Sequence, residues 1–172
     1  MRLFIAINFP DEVKAVVAAF RDLVKRAALR GNFTFDENLH LTLVFLGECN
    51  FQQEKSVRDV LNETVFSEFA LTIEKTGAFK RDGGHIWWIG LQESKPLSAL
   101  QADLTQRFIH QGFVLDNRKY TPHVTIGREV IMPAGFVYPA IERKKFNVTS
   151  IELMKSEHIK GKLVYTPIFS KK

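Results

Sequence analysis

The chain has 172 residues, 45% hydrophobic and 25% charged. That balance excludes a disordered chain, and the length suits one domain or two small lobes sharing a core. The formal charge of +5 is uneven: residues 1–82 hold 11 basic and 12 acidic side chains, residues 83–172 hold 13 and 7. A basic second half draws phosphates if its charges share a face; otherwise it is a solvated surface with a Lys171–Lys172 tail. Cys49 is the single cysteine, which excludes an internal disulfide framework and suits a reducing, cytoplasmic setting. No Cys/His cluster has zinc spacing, and no apolar run nears the roughly 20 residues needed to span a membrane.

The opening MRLFIAINFP lacks the pattern of a signal peptide and reads as a first strand, Arg2 to Phe9, stopped by Pro10. Val13, Val16, Val17, Phe20, Leu23 and Val24 then follow helical spacing, with Asp11 as N-cap and Gly31 as terminator. After the polar Asp36-Glu37-Asn38 comes a strand from Leu39 to Leu46, closed by Gly47. A helix from Ser56 to Phe66 and a strand from Phe69 to Ile73 follow. The turn Arg81-Asp82-Gly83-Gly84 leads to a strand from Ile86 to Leu91, a break at Pro96, then a helix from Leu97 to Gln111 ended by Gly112. The next strand runs from His123 to Arg128, and two closing strands cover Phe146 to Met154 and Lys162 to Phe169. The order strand, helix, polar loop, strand thus occurs twice. Phe4 to His40 and Trp87 to His123 both span 36 positions, and the halves, roughly 1–82 and 83–172, are offset by 83. We expect one α+β domain built of two pseudo-equivalent lobes.

The chemistry sits where the halves match. His40-Leu41-Thr42-Leu43 and His123-Val124-Thr125-Ile126 are both His-x-Thr-x with aliphatic x. On a strand, residues i and i+2 share a face, so each His stands beside its Thr while the aliphatic residues point to the core. A single such pair on an apolar strand is ordinarily structural. Two copies at matching places, brought face to face by a pseudo-twofold axis, would put imidazoles on opposite sides of one substrate. That arrangement suits phosphodiester cleavage: one imidazole takes a proton from the nucleophile and the other gives one to the leaving oxygen. The Thr hydroxyls can donate to phosphoryl oxygens. The arrangement calls for no metal and no cofactor.

The paired motifs, in the settings ENLHLTLVFLGE and YTPHVTIGRE, with the opening RLFIAINFP and the closing SIELMKSEHIKGKLVYTPI, resemble the 2H phosphoesterase superfamily. Within it the chain is most similar to the RNA 2′,3′-cyclic phosphodiesterases, historically called 2′-5′ RNA ligases. The resemblance covers nearly the whole chain and departs from the family at Phe33–Phe35, where a Trp is common. It implies a bilobal fold, with antiparallel sheets flanking a central cleft and helices outside. The implied reaction hydrolyses a terminal 2′,3′-cyclic phosphate to a 2′-phosphate on RNA ends or small nucleotides. His40 would be the proton donor, His123 the base, and Thr42 and Thr125 the phosphate ligands. Arg128 would add a charged phosphate contact, which needs a bulge near Gly127 because strict alternation puts it on the wrong face. Tyr120 is expected to line the cleft. The protein is expected to act as a monomer without an obligatory protein partner or membrane. His85, after a Gly-Gly turn, and His158, in a polar loop, read as surface residues, His110 as lying near a helix C-terminus where a cation is favoured, Cys49 as no nucleophile, and Arg143-Lys144-Lys145 as a basic triplet that is either solvated or steers RNA.

Overall fold

A computed structural model describes all 172 residues. It contains nine strands and three helices: β1 (Arg2–Asn8), α1 (Asp11–Ala27), β2 (Arg30–Phe33), β3 (His40–Glu48), α2 (Phe51–Glu63), β4 (Phe69–Phe79), β5 (His85–Leu91), α3 (Lys95–His110), β6 (His123–Ile131), β7 (Lys144–Val148), β8 (Ile151–Ile159) and β9 (Lys162–Lys171). The duplication is written into these bounds. Arg2–Asn8 maps onto His85–Leu91 and His40–Glu48 onto His123–Ile131, each 83 positions on. At the same offset α1 falls on α3 and β4 on β8, to within a few residues.

The strands form two antiparallel sheets, ordered β3-β1-β8-β9 and β2-β6-β5-β4-β7. In each sheet the first strand of one repeat pairs with a late strand of the other, β1 with β8 and β5 with β4, and β4 and β8 are themselves equivalent at the 83-residue offset. The repeats therefore exchange these equivalent strands, and neither sheet is a contiguous half of the chain. The hairpin geometry enforces this. β4 and β5 are joined by the short turn at Arg81–Gly84, which commits them to antiparallel pairing. β8 and β9 are joined by Lys160-Gly161, both at positive φ, as a two-residue turn requires.

β1 is buried on both faces, which explains its unbroken apolar run. Leu3, Ile5 and Ile7 join a core of buried side chains shared by both sheets, while Phe4 and Ala6 form a small cluster with Met154 and Tyr165 on the other side. α1 lies against β2, β6 and β7, and α3 against β3, so helices cover the core faces and leave the opposite faces to the cleft.

Several local readings need correction. Pro10, not Asp11, is the N-cap of α1; Asp11 and Glu12 lie in the first turn, where their charge suits the helix dipole. The helix stops at Ala27, and Gly31 belongs to the unforeseen strand β2. There a Cβ would stand 2.9 Å from both Val130 and the Phe33 ring. α2 begins at Phe51 rather than Ser56, set by a reciprocal Asn50–Gln53 capping box. Pro96 does not break the chain before α3 but sits in its first turn, behind Ser94 as N-cap. The stretch Phe146 to Met154 is two strands, β7 and β8, in different sheets. His158 is the end of β8, opposite Leu163, rather than part of a loop.

Candidate active site

β3 and β6 come together where the two lobes meet, which brings the two motifs to one cleft. Leu41, Leu43, Val124 and Ile126 are all buried, so His40, Thr42, His123 and Thr125 occupy the opposite faces, as alternation requires.

The two imidazoles are held by the same device. His40 Nδ1 lies 2.7 Å from the carbonyl of Asn38, and His123 Nδ1 lies 2.7 Å from the carbonyl of Thr121. Each carbonyl belongs to the residue two before its His. A carbonyl only accepts, so both Nδ1 atoms carry the proton, and in the neutral rings each Nε2 is an acceptor. His40 Nε2 lies 2.9 Å from Thr42 Oγ1, whose hydroxyl donates to it while the ring is neutral. His123 Nε2 has no protein partner.

Their surroundings differ. The His40 ring packs between Phe4 (4.9 Å) and Tyr165 (5.1 Å), centroid to centroid. Burial pushes its pKa down to about 4, against the pull of the Asn38 carbonyl and helped by the positive charges of His123 and Arg128. His123 packs edge-on against Phe79 at 5.1 Å. Its pKa is also lowered, chiefly by burial and then by Arg128, again against a backbone carbonyl.

Arg128 reaches the cleft through the bulge it requires. Trp87 stands opposite Gly127, but Trp88 stands opposite Thr125, so one step on β5 meets two on β6. Ile126 and Gly127 both turn inward, and Arg128 regains the face of Thr125. Glycine suits the bulge because a Cβ there would stand 2.9 Å from Val130. Arg128 is exposed and takes part in none of the protein's ion pairs. The first motif has the same bulge: Ile5 faces Val44 and Ala6 faces Thr42, so Leu43 and Val44 both turn inward. The residue that regains the cleft face there is Phe45, with the Arg2 guanidinium 4.9 Å from its ring centroid. His-x-Thr-x-x is thus followed by Arg in one lobe and Phe in the other.

Tyr120 is partly buried, and its hydroxyl donates to the carbonyl of Thr42 at 3.0 Å. Burial pushes its pKa up. Its place is a tie from the approach to the second motif onto the first motif strand, with the hydroxyl hydrogen engaged.

Sequence reading missed the framework behind the motifs. Asn38 is 4% exposed. Its side chain donates to the Leu163 carbonyl at 2.8 Å and accepts from the Tyr165 N–H at 3.1 Å, while its carbonyl holds His40. Arg21, on α1, donates to the Thr34 carbonyl at 2.7 Å and pairs with Asp36, and Thr34 in turn donates to the Thr125 carbonyl at 2.9 Å. The segment 34–38 is thereby fastened to both motifs. The only signal was the polar cluster before His40, and backbone acceptors leave no trace in side-chain patterns. On the second lobe the cleft floor is the Trp88 indole, laid flat on β4, where a Cβ at Gly77 would stand 2.4 Å from the ring. The remaining candidates stay outside. Cys49 is buried beneath the amino terminus, its thiol pKa pushed up by burial, so it holds no ready thiolate. His85 accepts from the Arg81 N–H at 3.4 Å, and His110 lies in the last turn of α3. The described residues offer no cluster of acidic, His or Cys side chains able to hold a metal ion. No helix is long and apolar enough to cross a membrane.

Comparison with known proteins agrees with this geometry. A family model described as the 2′-5′ RNA ligase superfamily matches residues 9–159. The RNA 2′,3′-cyclic phosphodiesterase of Thermotoga maritima is 33% identical over 136 residues, covering 77% of this chain and 72% of that protein. The Escherichia coli protein of the same name is 30% identical over 173 residues, covering 97% of this chain and 93% of its own. The crystal structure of E. coli LigT complexed with 3′-AMP superposes with a TM-score of 0.87 at 28% identity, covering 98% of this chain and 95% of that one. The two sheets and the cleft between them are therefore those of a known line, and the chain belongs to the 2′-5′ RNA ligase superfamily, the 2H phosphoesterases, alongside curated relatives named RNA 2′,3′-cyclic phosphodiesterase.

Proposed function

We propose that the protein hydrolyses a terminal 2′,3′-cyclic phosphate on RNA or a nucleotide to a 2′-phosphomonoester, by acid–base catalysis between His40 and His123 without a metal. The observation that carries this reading is the matched pair of imidazoles in one cleft, each fixed by Nδ1 on a backbone carbonyl at 2.7 Å. Fixing Nδ1 leaves both Nε2 atoms to exchange protons with a ligand.

His123 Nε2, free of protein partners, takes a proton from the attacking water. The oxygen attacks phosphorus, the bond from phosphorus to the 3′ oxygen breaks, and His40 Nε2–H gives that oxygen its proton. The products are a 2′-phosphate and a 3′-hydroxyl. The step needs one proton on the pair, and the negative phosphate supplies the reason for it to stay, since it offsets the burial that depresses both imidazoles. Protonation of His40 also removes the acceptor that held the Thr42 hydroxyl: Nε2 then carries the hydrogen bound for the 3′ oxygen, and the Thr42 hydroxyl hydrogen is free to turn to a phosphoryl oxygen. Thr125 offers a second hydroxyl and Arg128 a full positive charge, so that charge developing on phosphorus meets donors already in place. Tyr120 acts through position, holding the second motif to the first.

The test is hydrolysis of a nucleoside 2′,3′-cyclic phosphate in EDTA, with the product followed by phosphorus NMR. A 2′-phosphate formed at full rate in the chelator is expected. A 3′-phosphate product would overturn the assignment of the leaving oxygen, and loss of activity in EDTA would overturn metal independence. Binding without turnover would make the protein a nucleotide binder.

A further inference from the structure

The face of the five-stranded sheet that carries His123 continues past it. His123 stands opposite Gly90, and Gly90 opposite Lys75. One row on, the Gln92 N–H donates to the Thr72 carbonyl at 2.8 Å, and Thr72 stands opposite Lys145. Leu71, Ile73, Leu91, Phe146 and Val148 are buried on the core side of these strands, so Thr72, Gln92 and Lys145 share the cleft face. An open groove of about 510 Å³ lies there, lined by Ala70, Thr72, Gln92, Arg143 and Lys145. It adjoins a second, lined in part by Gln92, Glu93, Ser94 and Lys95, where α3 begins.

The lining of the first groove has two cations, two neutral polar side chains, one methyl group and no carboxylate. Arg143 is held from beside the groove by Glu74 at 3.1 Å, and Lys145 forms no ion pair. An apolar ligand would find almost nothing to cover, whereas a phosphate backbone finds charge and hydrogen-bond donors on an open track. Distance decides what kind of phosphate. Lys145 lies three strands across from His123, about 14 Å laterally at strand spacing. A mononucleotide anchored between the histidines does not extend that far, but a polynucleotide does.

We infer that this groove carries the phosphates upstream of the cyclic end, so that the preferred substrate is a single-stranded RNA held by Arg143 and Lys145 rather than a mononucleotide. This rests on the reading of the cleft given above. It also makes the basic triplet at Arg143-Lys144-Lys145 a functional element, with Lys144 opposite Ile73 one residue out of phase with the groove.

Two measurements test it. The first is binding of an oligoribonucleotide with a terminal 3′-phosphate, titrated across salt concentrations, which requires no turnover. In the double variant Arg143→Ala, Lys145→Ala affinity should fall about tenfold at low salt, and the slope of log K against log salt should become shallower by about 1.4, at about 0.7 per phosphate contact on a single strand. A matched loss of charge elsewhere, Lys25→Ala with Lys55→Ala, should leave the slope unchanged. The second is the ratio of kcat/KM for an oligonucleotide ending in a cyclic phosphate to that for the mononucleotide. It should exceed one in the wild type and fall about tenfold in the groove variant, with Lys145→Glu lowering it as well. An unchanged slope, or equal kcat/KM on both substrates in the wild type, would overturn the inference. Failure of the wild type on the mononucleotide and the oligonucleotide alike would count against the phosphodiesterase reading, while the salt titration would still decide the groove.

Discussion

The two motif strands are near copies in backbone and unlike in surroundings. Both carry His and Thr on the cleft face, both anchor Nδ1 two residues upstream, and both bulge one step later. In the first lobe the imidazole is packed by Phe4 and Tyr165 and hydrogen-bonded at both nitrogens, and the bulge presents Phe45. In the second lobe one nitrogen is free, and the bulge presents Arg128. In the proposed reaction, duplication supplies the opposed proton-transfer groups, and the departures from symmetry give each its part. An apolar, fully bonded lobe and a charged, open lobe cannot treat an anion alike.

Substitutions can break this comparison at several levels. His40→Ala and His123→Ala should each lower the rate by at least about 10²-fold on a nucleoside cyclic phosphate, because each removes one proton-transfer role. Near-full activity in either would show that the pair does not act as a pair. Arg128→Leu should cost about 10²-fold in kcat/KM, whereas Phe45→Leu, at the matching place in the other lobe, should cost far less, since only Arg128 offers charge to the phosphate. Steady-state kinetics on the two variants side by side would expose a symmetric site by equal losses.

The framework behind the first motif should show in stability. Asn38→Ala leaves the Leu163 carbonyl and the Tyr165 N–H without partners and should cost about 2 kcal/mol in denaturant unfolding. His40 adds a pH dependence whose sign follows from its depressed pKa. The fold favours the neutral ring, so its contribution is complete above the ordinary value of 6.5 and is lost as pH falls from there through about 4. Wild type should therefore lose up to about 3 kcal/mol more than His40→Asn between pH 7 and pH 4. Parallel curves for the two proteins would mean that His40 is freely solvated.

Much of this was legible in the sequence, and the rest was hidden for physical reasons. The 83-residue offset located both motifs and the strands bearing them, because local apolar patterning is faithful over a single strand. The exchange of β4 and β8 between sheets was not legible, since the alternation of a strand does not say which sheet it joins. For the same reason Phe146 to Met154 read as one strand across a change of sheet. Strict alternation left Arg128 on the wrong face, and the bulge at Ile126 and Gly127 that corrects it is visible only in the register with β5. Asn38 escaped because it works through its backbone carbonyl and through partners more than 120 residues away.

The most direct test of two unlike imidazoles sharing one proton is the pH profile of kcat/KM on a nucleoside 2′,3′-cyclic phosphate, measured in EDTA. Both pKa values lie below 6.5 in the free protein, one at about 4. The singly protonated pair is most populated between the two macroscopic values, so the profile should be a bell whose maximum falls below pH 6.5. A flat profile, or a maximum above about pH 7, would contradict the account.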